Sequence, residues 1–221
     1  MRAENLLQID DILKLDRKQV RDYYKTYINP GLVNMMGILN FDKQFVKAEG
    51  VYVWDSEGNA YLDFLGGYGA LNLGHNPSNV IKAIDKVKEM PSLLQAALGT
   101  VASALGHNLA QILPPGLERS FFCNSGAEAV EGALKLARAA TGKTRTIYCE
   151  GSFHGKTFGA LSVTGREKYQ IPFQPLLPGC EAVPFGDLEA LESKVFKRDV
   201  AAFILEPIQG EGGIIVPPEG Y

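Results

Sequence analysis

Helical and strand-like patterns alternate along the second half of the chain. The helical segments share apolar positions at helical spacing and cover residues 104–113, 127–140 and 188–196. Each is followed by a short, mostly apolar segment typical of a strand, at 119–123, 144–148 and 201–206. Strands that alternate with helices in this way form a mostly parallel sheet with helices on both faces. With 221 residues and 46% hydrophobic side chains, the chain can bury such a core, so the predicted class is α/β.

An N-terminal helical arm and a small β-hairpin are predicted ahead of this region. Residues 9–27 carry apolar and charged positions at helical spacing and end before the Asn-Pro-Gly sequence at 29–31, a helix-stop signal. Two runs rich in β-branched and aromatic residues, 51–54 and 60–64, flank residues 55–59, whose composition is that of a hairpin loop.

A glycine-rich segment follows the hairpin. Residues 66–77 contain too much glycine for a regular helix or strand, and a helical pattern then runs from Val80 to Val87. We expect this loop either to pack closely on a neighbouring group or to make a tight turn. The chain is therefore expected to have two regions, 1–100 with the arm, hairpin and loop, and 101–221 with the parallel sheet.

Charge and hydropathy exclude several classes of partner. The formal net charge of −3 gives no basic field that would attract nucleic acid or anionic lipid. No apolar run is long enough to span a bilayer, and the first residues include Arg2 and Glu4 instead of the apolar core of a signal peptide. We therefore expect no nucleic-acid partner, no membrane partner and a cytoplasmic location.

The cysteines indicate neither a disulfide framework nor a zinc site. Cys123, Cys149 and Cys180 are odd in number and have no CxxC spacing. We expect three buried free thiols and no bound metal.

Ser125, Gly126 and Ala127 stand where a predicted strand leads into a helix. The first turn of a helix has unpaired N–H groups and the positive end of the helix dipole, and Gly126 and Ala127 have no bulk to block a ligand. A phosphate group fits there; the alternative is an ordinary helix start with Ser125 as its N-cap. Four residues apart, Glu131 and Lys135 are expected to pair on the other face of this helix.

Phe153 and His154 lie on a short loop between Gly151 and Gly155. A phenyl ring can present its face to a flat aromatic cofactor, and the neighbouring imidazole can present a polar edge. The alternative is that His154 is a structural residue held by a hydrogen bond.

Two carboxylates follow the last predicted strand. Glu206 ends an apolar run, where a carboxylate is costly to bury without a partner, so it should be hydrogen-bonded or paired. Glu211 stands among Gly210, Gly212 and Gly213 and is expected to be able to swing, or else to lie on a plain surface turn. Because ligands of open α/β sheets bind outside the carboxyl ends of the strands, the three motifs are expected to hold a phosphorylated, flat aromatic cofactor.

In this order, the three motifs resemble those of the class III aminotransferases, pyridoxal-phosphate enzymes of fold type I. The family includes acetylornithine, ornithine, 4-aminobutyrate and putrescine aminotransferases, and the resemblance covers nearly the whole chain, from the hairpin to Tyr221. It implies pyridoxal 5'-phosphate as the cofactor, the large domain of fold type I over 101–221, and a homodimer whose interface includes the glycine-rich loop.

The resemblance also implies roles for single residues. The backbone of Ser125, Gly126 and Ala127 would hold the cofactor phosphate. Phe153 would stack on the pyridine ring beside His154, and Glu206 would lie beneath the cofactor among groups that orient it. The expected substrate-binding residues are Tyr68 near the entrance, Lys156, and Glu211, which would pair with a late arginine in a switch that opens for the second substrate.

No catalytic residue is assigned within this sequence. In the family, the Schiff-base lysine, the aspartate that pairs with the pyridine nitrogen and the switch arginine lie beyond the position that matches Tyr221. Four lysines of the second region do not match that lysine: Lys135, Lys143, Lys156 and Lys168. The chain thus resembles the N-terminal half of an enzyme, and we expect that these 221 residues do not turn over alone.

Lys156 guides the expectation about the substrate. Relatives that act on α-amino acids or 4-aminobutyrate carry an arginine there, whose planar fork grips a carboxylate better than a lysine does. The Phe-His-Gly-Lys sequence is instead similar to that of putrescine aminotransferases. We expect amino-group transfer from a diamine such as putrescine to 2-oxoglutarate through pyridoxamine phosphate. The alternatives are an ornithine, acetylornithine or other ω-amino acid donor, and a non-catalytic fragment.

Overall fold

The computed structural model describes residues 6–92 and 96–221. The chain divides into two compact units, Met1–Leu98 and Gly99–Tyr221, and each is described by itself. Arg2 and Glu4, considered above with the N-terminal charges, lie outside the described residues.

Helices of the first unit differ from the single arm predicted over 9–27. They are α1 (Ile9–Ile12), α2 (Arg17–Tyr27), α3 (Pro30–Ile38) and, after the loop, α4 (Ser78–Val87). The predicted arm is broken because Asp16 starts a new helix: its side chain accepts from the Gln19 N–H at 2.7 Å, and the Gln19 side chain accepts from the Asp16 N–H at 3.0 Å.

The Asn-Pro-Gly sequence at 29–31 begins a helix as well as following one. Asn29 caps α3 by accepting from the Leu32 N–H at 3.0 Å, and Pro30 is the first helical residue. A proline fits this position because the first N–H of a helix has no internal partner.

The predicted hairpin is present and carries a third strand. Strands β1 (Phe45–Glu49), β2 (Tyr52–Asp55) and β3 (Ala60–Leu62) form an antiparallel sheet in the order β1-β2-β3. Strand β1 was not predicted from the sequence. The buried Asp55 holds the hairpin turn by accepting from the N–H groups of Glu57 and Asn59 and from the Tyr61 hydroxyl.

The glycine-rich loop makes tight turns, as expected. Gly66, Gly67, Tyr68 and Gly69 all have a positive φ, so the chain turns sharply there, and Gly50 pairs with His75 as an isolated bridge. At Gly74, a Cβ atom would lie 2.8 Å from the Gly50 carbonyl oxygen, so no larger residue fits there.

Strands of the second unit form a parallel sheet, as predicted. They are β4 (Arg145–Cys149), β5 (Cys180–Val183) and β6 (Val200–Ile204), in the order β5-β4-β6. The sequence analysis anticipated β4 and β6 but not β5. The predicted strand at 119–123 was wrong: the segment pairs with none of the described strands and runs as irregular chain with Phe121 and Phe122 exposed.

Five helices are described in the second unit. They are α5 (Thr100–Ile112), α6 (Gly126–Thr141), α7 (Phe158–Ser162), α8 (Glu167–Gln170) and α9 (Leu188–Val195), with a 3-10 turn at Ile171–Phe173.

Helices cover both faces of the sheet because neighbouring side chains of a strand point to opposite sides. Tyr148 packs with Leu134 of α6 on one face. On the other face, Ile147 and Cys149 pack with Val183 and with Leu191 of α9. The core therefore centres on β4, whose carboxyl end leads into the Phe153 loop.

The cysteines are free but not all buried. Cys149 is buried and Cys180 half-buried, whereas the expectation of burial was wrong for Cys123, which is exposed on the irregular segment before α6. Among the helices that the structure describes, none is both long and apolar enough to cross a membrane.

Candidate functional site: a ligand site at the carboxyl end of the parallel sheet

The start of α6 offers unpaired backbone donors. Ser125 is the N-cap, as the alternative reading proposed, and its hydroxyl accepts from the Glu128 N–H at 3.2 Å. In the described chain, no hydrogen bond uses the N–H of Gly126 or Ala127. The space where a Gly126 Cβ would stand is open to 4 Å. These donors are free to meet an anion.

The Phe153 loop packs directly on this helix start. Gly155 has a φ of +135°, and a Cβ atom there would lie 2.9 Å from the Cβ atoms of Ala127 and Ala160. Only glycine allows this backbone to approach so closely. The first and second motifs, 28 residues apart in sequence, are therefore in contact.

Glu131 joins the same two elements by hydrogen bonds. Its Oε1 atom accepts from the Thr157 hydroxyl at 2.6 Å and from the N–H groups of Gly159 at 2.9 Å and Ala160 at 3.2 Å. The expected pair with Lys135 was wrong, since none of the ion pairs between described residues joins them. Three donors at the start of α7 contact this carboxylate instead.

Glu206, which follows β6, contacts the Phe153 loop. The residue is half-buried two positions beyond β6, and its Oε2 atom accepts a long hydrogen bond of 3.4 Å from the Phe153 N–H. The Phe153 ring meets the Tyr169 ring edge-on, with centroids 6.5 Å apart. Glu206 thus has the hydrogen-bond partner that its position predicted, and the third motif contacts the second.

His154 carries an orphaned polar atom. Its backbone N–H donates to the Thr164 hydroxyl at 3.0 Å, but its buried Nε2 atom has no partner among the described residues. Burial lowers the pKa of the imidazole below its usual 6.5, which favours the neutral ring. The alternative of a fully hydrogen-bonded structural histidine does not account for this nitrogen.

Lys156 lies next to this site but is exposed. It lines a cavity of about 270 Å³ together with Leu161, Lys168, Tyr169 and Phe173. Tyr68 belongs to the first unit, where its side chain is 84% exposed.

Glu211 is paired within this chain. Its Oε2 atom lies 3.2 Å from an Arg166 guanidinium nitrogen. The base of its turn is fixed by Gln209, which is buried and donates from Nε2 to the Glu150 carbonyl at 2.8 Å. Glu211 is therefore the exposed tip of an anchored turn.

Several residues of this region were not predicted from the sequence. Arg166 and Tyr169 lie in none of the three motifs, Gln209 was given no role, and Glu131 was assigned to the wrong partner. The only available signal was the helix-start position of Gly159 and Ala160, whose N–H groups need an acceptor.

Comparison with known proteins places the chain in one family. The model of "Aminotransferase class-III" matches residues 38–221. The chain is 42% identical to a putrescine aminotransferase from Pectobacterium atrosepticum over 97% of its own length and 49% of the relative's. It is 43% identical to the aminotransferase PigE from Serratia sp. over 99% of its length and 26% of the relative's. The chain thus spans from a quarter to a half of these relatives.

Solved structures agree with this assignment. An ornithine aminotransferase from Toxoplasma gondii has a TM-score of 0.83 at 33% identity, over 96% of this chain and 51% of that one. A taurine:2-oxoglutarate aminotransferase from Bifidobacterium kashiwanohense, in complex with pyridoxal phosphate and glutamate, has a TM-score of 0.82 at 26% identity, over 94% and 52%. These relatives have the fold of type I, and the α/β prediction is confirmed. The chain belongs to the class III aminotransferases, a family of pyridoxal-phosphate enzymes.

Proposed function

We propose that this protein transfers an amino group from a diamine such as putrescine to 2-oxoglutarate with pyridoxal phosphate as the cofactor. The observation that supports it most is the meeting of three sequence motifs at one edge of the sheet: Ala127 against Gly155, and Phe153 hydrogen-bonded to Glu206. Each motif offers a different group to such a cofactor.

The residues present fit pyridoxal phosphate. The unpaired N–H groups of Gly126 and Ala127 suit its phosphate, and the Phe153 ring suits its flat pyridine. The orphaned Nε2 of His154 is a polar atom that a bound ligand can satisfy. Glu206 adds a carboxylate at the same edge of the sheet. These are the residues that we expect to hold the cofactor.

When bound, the cofactor supplies an electron sink that lets an amino group leave one substrate and join another. The role of this chain would be to bind and orient the cofactor. The start of α6 would hold its phosphate, and Phe153 would limit the tilt of its pyridine ring. The negative charge of Glu206 would favour the protonated form of a neighbouring group over the neutral form. The neutral His154 adds no charge, so it can hold a polar group without repelling a cationic amine.

The choice of a diamine donor rests on Lys156 and on the Pectobacterium relative. A lysine offers a point charge and not the bidentate fork that suits a carboxylate. Lys156 therefore suits a binding site for an amino-group donor that has no carboxylate. The relative at 42% identity is a putrescine aminotransferase. Ornithine and other ω-amino acids are the second candidates, because an ornithine aminotransferase is 33% identical to this chain.

A homodimer and a cytoplasmic location belong to the same proposal. The three free thiols suit a reducing compartment. The exposed apolar side chains of the glycine-rich loop, Leu71 and Leu73, suit a surface that is covered in an assembly.

A donor screen tests the proposed function. The full-length protein is loaded with pyridoxal phosphate, and glutamate formation from 2-oxoglutarate is measured with putrescine, ornithine, acetylornithine and 4-aminobutyrate in turn. We expect the highest kcat/KM for putrescine. A higher value for a carboxylate-bearing donor would overturn the diamine assignment, and the absence of any cofactor absorbance would overturn the aminotransferase proposal itself.

A further inference from the structure

Glu131 is a half-buried carboxylate with no cationic partner in the described chain, one helical turn beyond Ala127. The two residues therefore point to the same side of α6. Ala127 contacts Gly155, and Glu131 receives the hydrogen bonds of Thr157, Gly159 and Ala160. Two successive turns of α6 thus contact the segment that runs from Gly155 into α7.

The Glu131 carboxylate lies close against the start of α7. A Cβ atom on Gly159 would clash with the Glu131 carboxylate, which lies directly against the Gly159 backbone. Gly159 and Ala160 are buried, and without an acceptor their N–H groups would be unsatisfied. Thr157, the N-cap of α7, makes no cap of its own. Glu131, which belongs to α6, supplies the acceptor for the start of α7 instead.

We propose that Glu131 is a positioning residue for the cofactor site: by capping α7 from α6, it sets the separation between the donors at Gly126 and the ring of Phe153. This inference rests on the proposed function. Phe153 and His154 stand just before Gly155 in sequence. The contact of Gly155 with Ala127 and the hydrogen bond of Thr157 with Glu131 therefore hold the loop that carries both rings. A ligand that contacts both the N–H groups at the start of α6 and the Phe153 ring binds well only when these two groups lie at a fixed separation. A ligand that contacts the N–H groups alone does not depend on this separation.

Two ligands separate these cases. Pyridoxamine phosphate would contact both groups without a covalent bond to the protein, and inorganic phosphate would contact only the start of α6. When the loop is in place in only a fraction of molecules, the apparent Kd of the bridging ligand rises by the inverse of that fraction. For Glu131→Ala in the full-length protein we therefore expect a loss of about tenfold for pyridoxamine phosphate and less than about twofold for inorganic phosphate.

Two control variants are available. Glu131→Gln keeps the oxygen acceptor without the charge and should restore pyridoxamine phosphate binding to within about threefold of the parent, as a neutral hydrogen bond replaces a charged one. Glu192→Ala removes an exposed glutamate from α9 and should change neither Kd. Equal losses for the two ligands, or no loss for either, would overturn the proposal.

Hydrogen exchange on the ligand-free protein keeps this test separate from the proposed function. Glu131→Ala should speed exchange of the Gly159 and Ala160 amides, because their acceptor is gone. Unchanged exchange would contradict the capping role even if the protein binds no cofactor. Faster exchange in a protein that binds no pyridoxamine phosphate would refute the proposed function and, with it, the role at a cofactor site.

Discussion

Glu206 and Phe153 are joined by a hydrogen bond from the Phe153 N–H to the Glu206 Oε2 atom, across 3.4 Å. The bond ties the chain that leaves β6 to the loop that leaves β4, although 53 residues separate the two in sequence. A carboxylate in this place fixes the loop, and under the proposed function it would also lie beside the cofactor.

Glu206→Ala should therefore loosen the Phe153 loop. We expect the free energy of unfolding to fall by about 1 kcal/mol, the usual contribution of one hydrogen bond, since the bond is long and the carboxylate only half-buried. Urea unfolding followed by circular dichroism measures this change. Glu206→Gln keeps an acceptor and should lose less; an equal loss in both variants would show that the hydrogen bond is not the cause.

Gly155→Ala should be far more destabilising. The residue has a φ of +135°, and the new methyl group would stand 2.9 Å from two alanine Cβ atoms. We expect a loss of about 2–4 kcal/mol from backbone strain and overpacking. The matched control is Gly106→Ala in the middle of α5, where space is open and a gain of up to about 1 kcal/mol is expected. Similar unfolding midpoints for the two variants would contradict the close contact.

Glu181 should contribute to the acid sensitivity of the fold. Hydrogen bonds from Arg145 and then from Lys194 lower its pKa from 4.5 to about 2. A carboxyl group with a lower pKa in the folded state stabilises the fold above its unfolded pKa, and this contribution disappears as the pH falls from 4.5 towards 2. At neutral pH the contribution should stay below about 1 kcal/mol, because the side chain is partly exposed.

Glu181→Gln is the variant that checks this. Its unfolding free energy should depend less steeply on pH between 4.5 and 2 than that of the parent protein. Parallel pH profiles for the two proteins would rule out the contribution of Glu181.

Lys156→Ala should spare the reaction with a diamine donor. Lys156 is exposed at the wall of a cavity, and a diamine has no carboxylate for it to bind. We expect kcat/KM for putrescine to stay within about threefold of the parent, the scatter of a surface substitution away from the reacting atoms. If the variant instead raises KM steeply for a carboxylate-bearing donor that the parent prefers, the diamine assignment fails.

Sequence patterns correctly predicted the elements that have a long hydrophobic periodicity or clear end signals. Helix α6, strand β4 and the hairpin were anticipated because their apolar periodicity extends over several residues and ends at glycine or at turn residues. The same holds for the helix start at Gly126 and for the position of Glu206 after a strand.

Other elements depend on contacts that a sequence pattern does not contain. Strand β5 is four residues long and includes Glu181, whose charge is paired by Arg145 from β4. The segment at 119–123 has the composition of a strand, but a strand also needs a hydrogen-bonded neighbour, and none of the described strands pairs with this segment. The acceptor role of Glu131 follows from the packing of α6 on α7, which tertiary structure alone creates.

The binding of phosphate at the start of α6 is the central claim, and Gly126→Asp tests it most directly. An aspartate in the first turn suits the helix dipole, and the space around Gly126 is open, so the fold should be retained. The matched neutral variant is Gly126→Asn. The measurement is the Kd of pyridoxal phosphate for the full-length protein, by visible absorbance. We predict a Kd at least about tenfold higher for the aspartate than for the asparagine, since like charges repel at close range; equal Kd values would contradict the account.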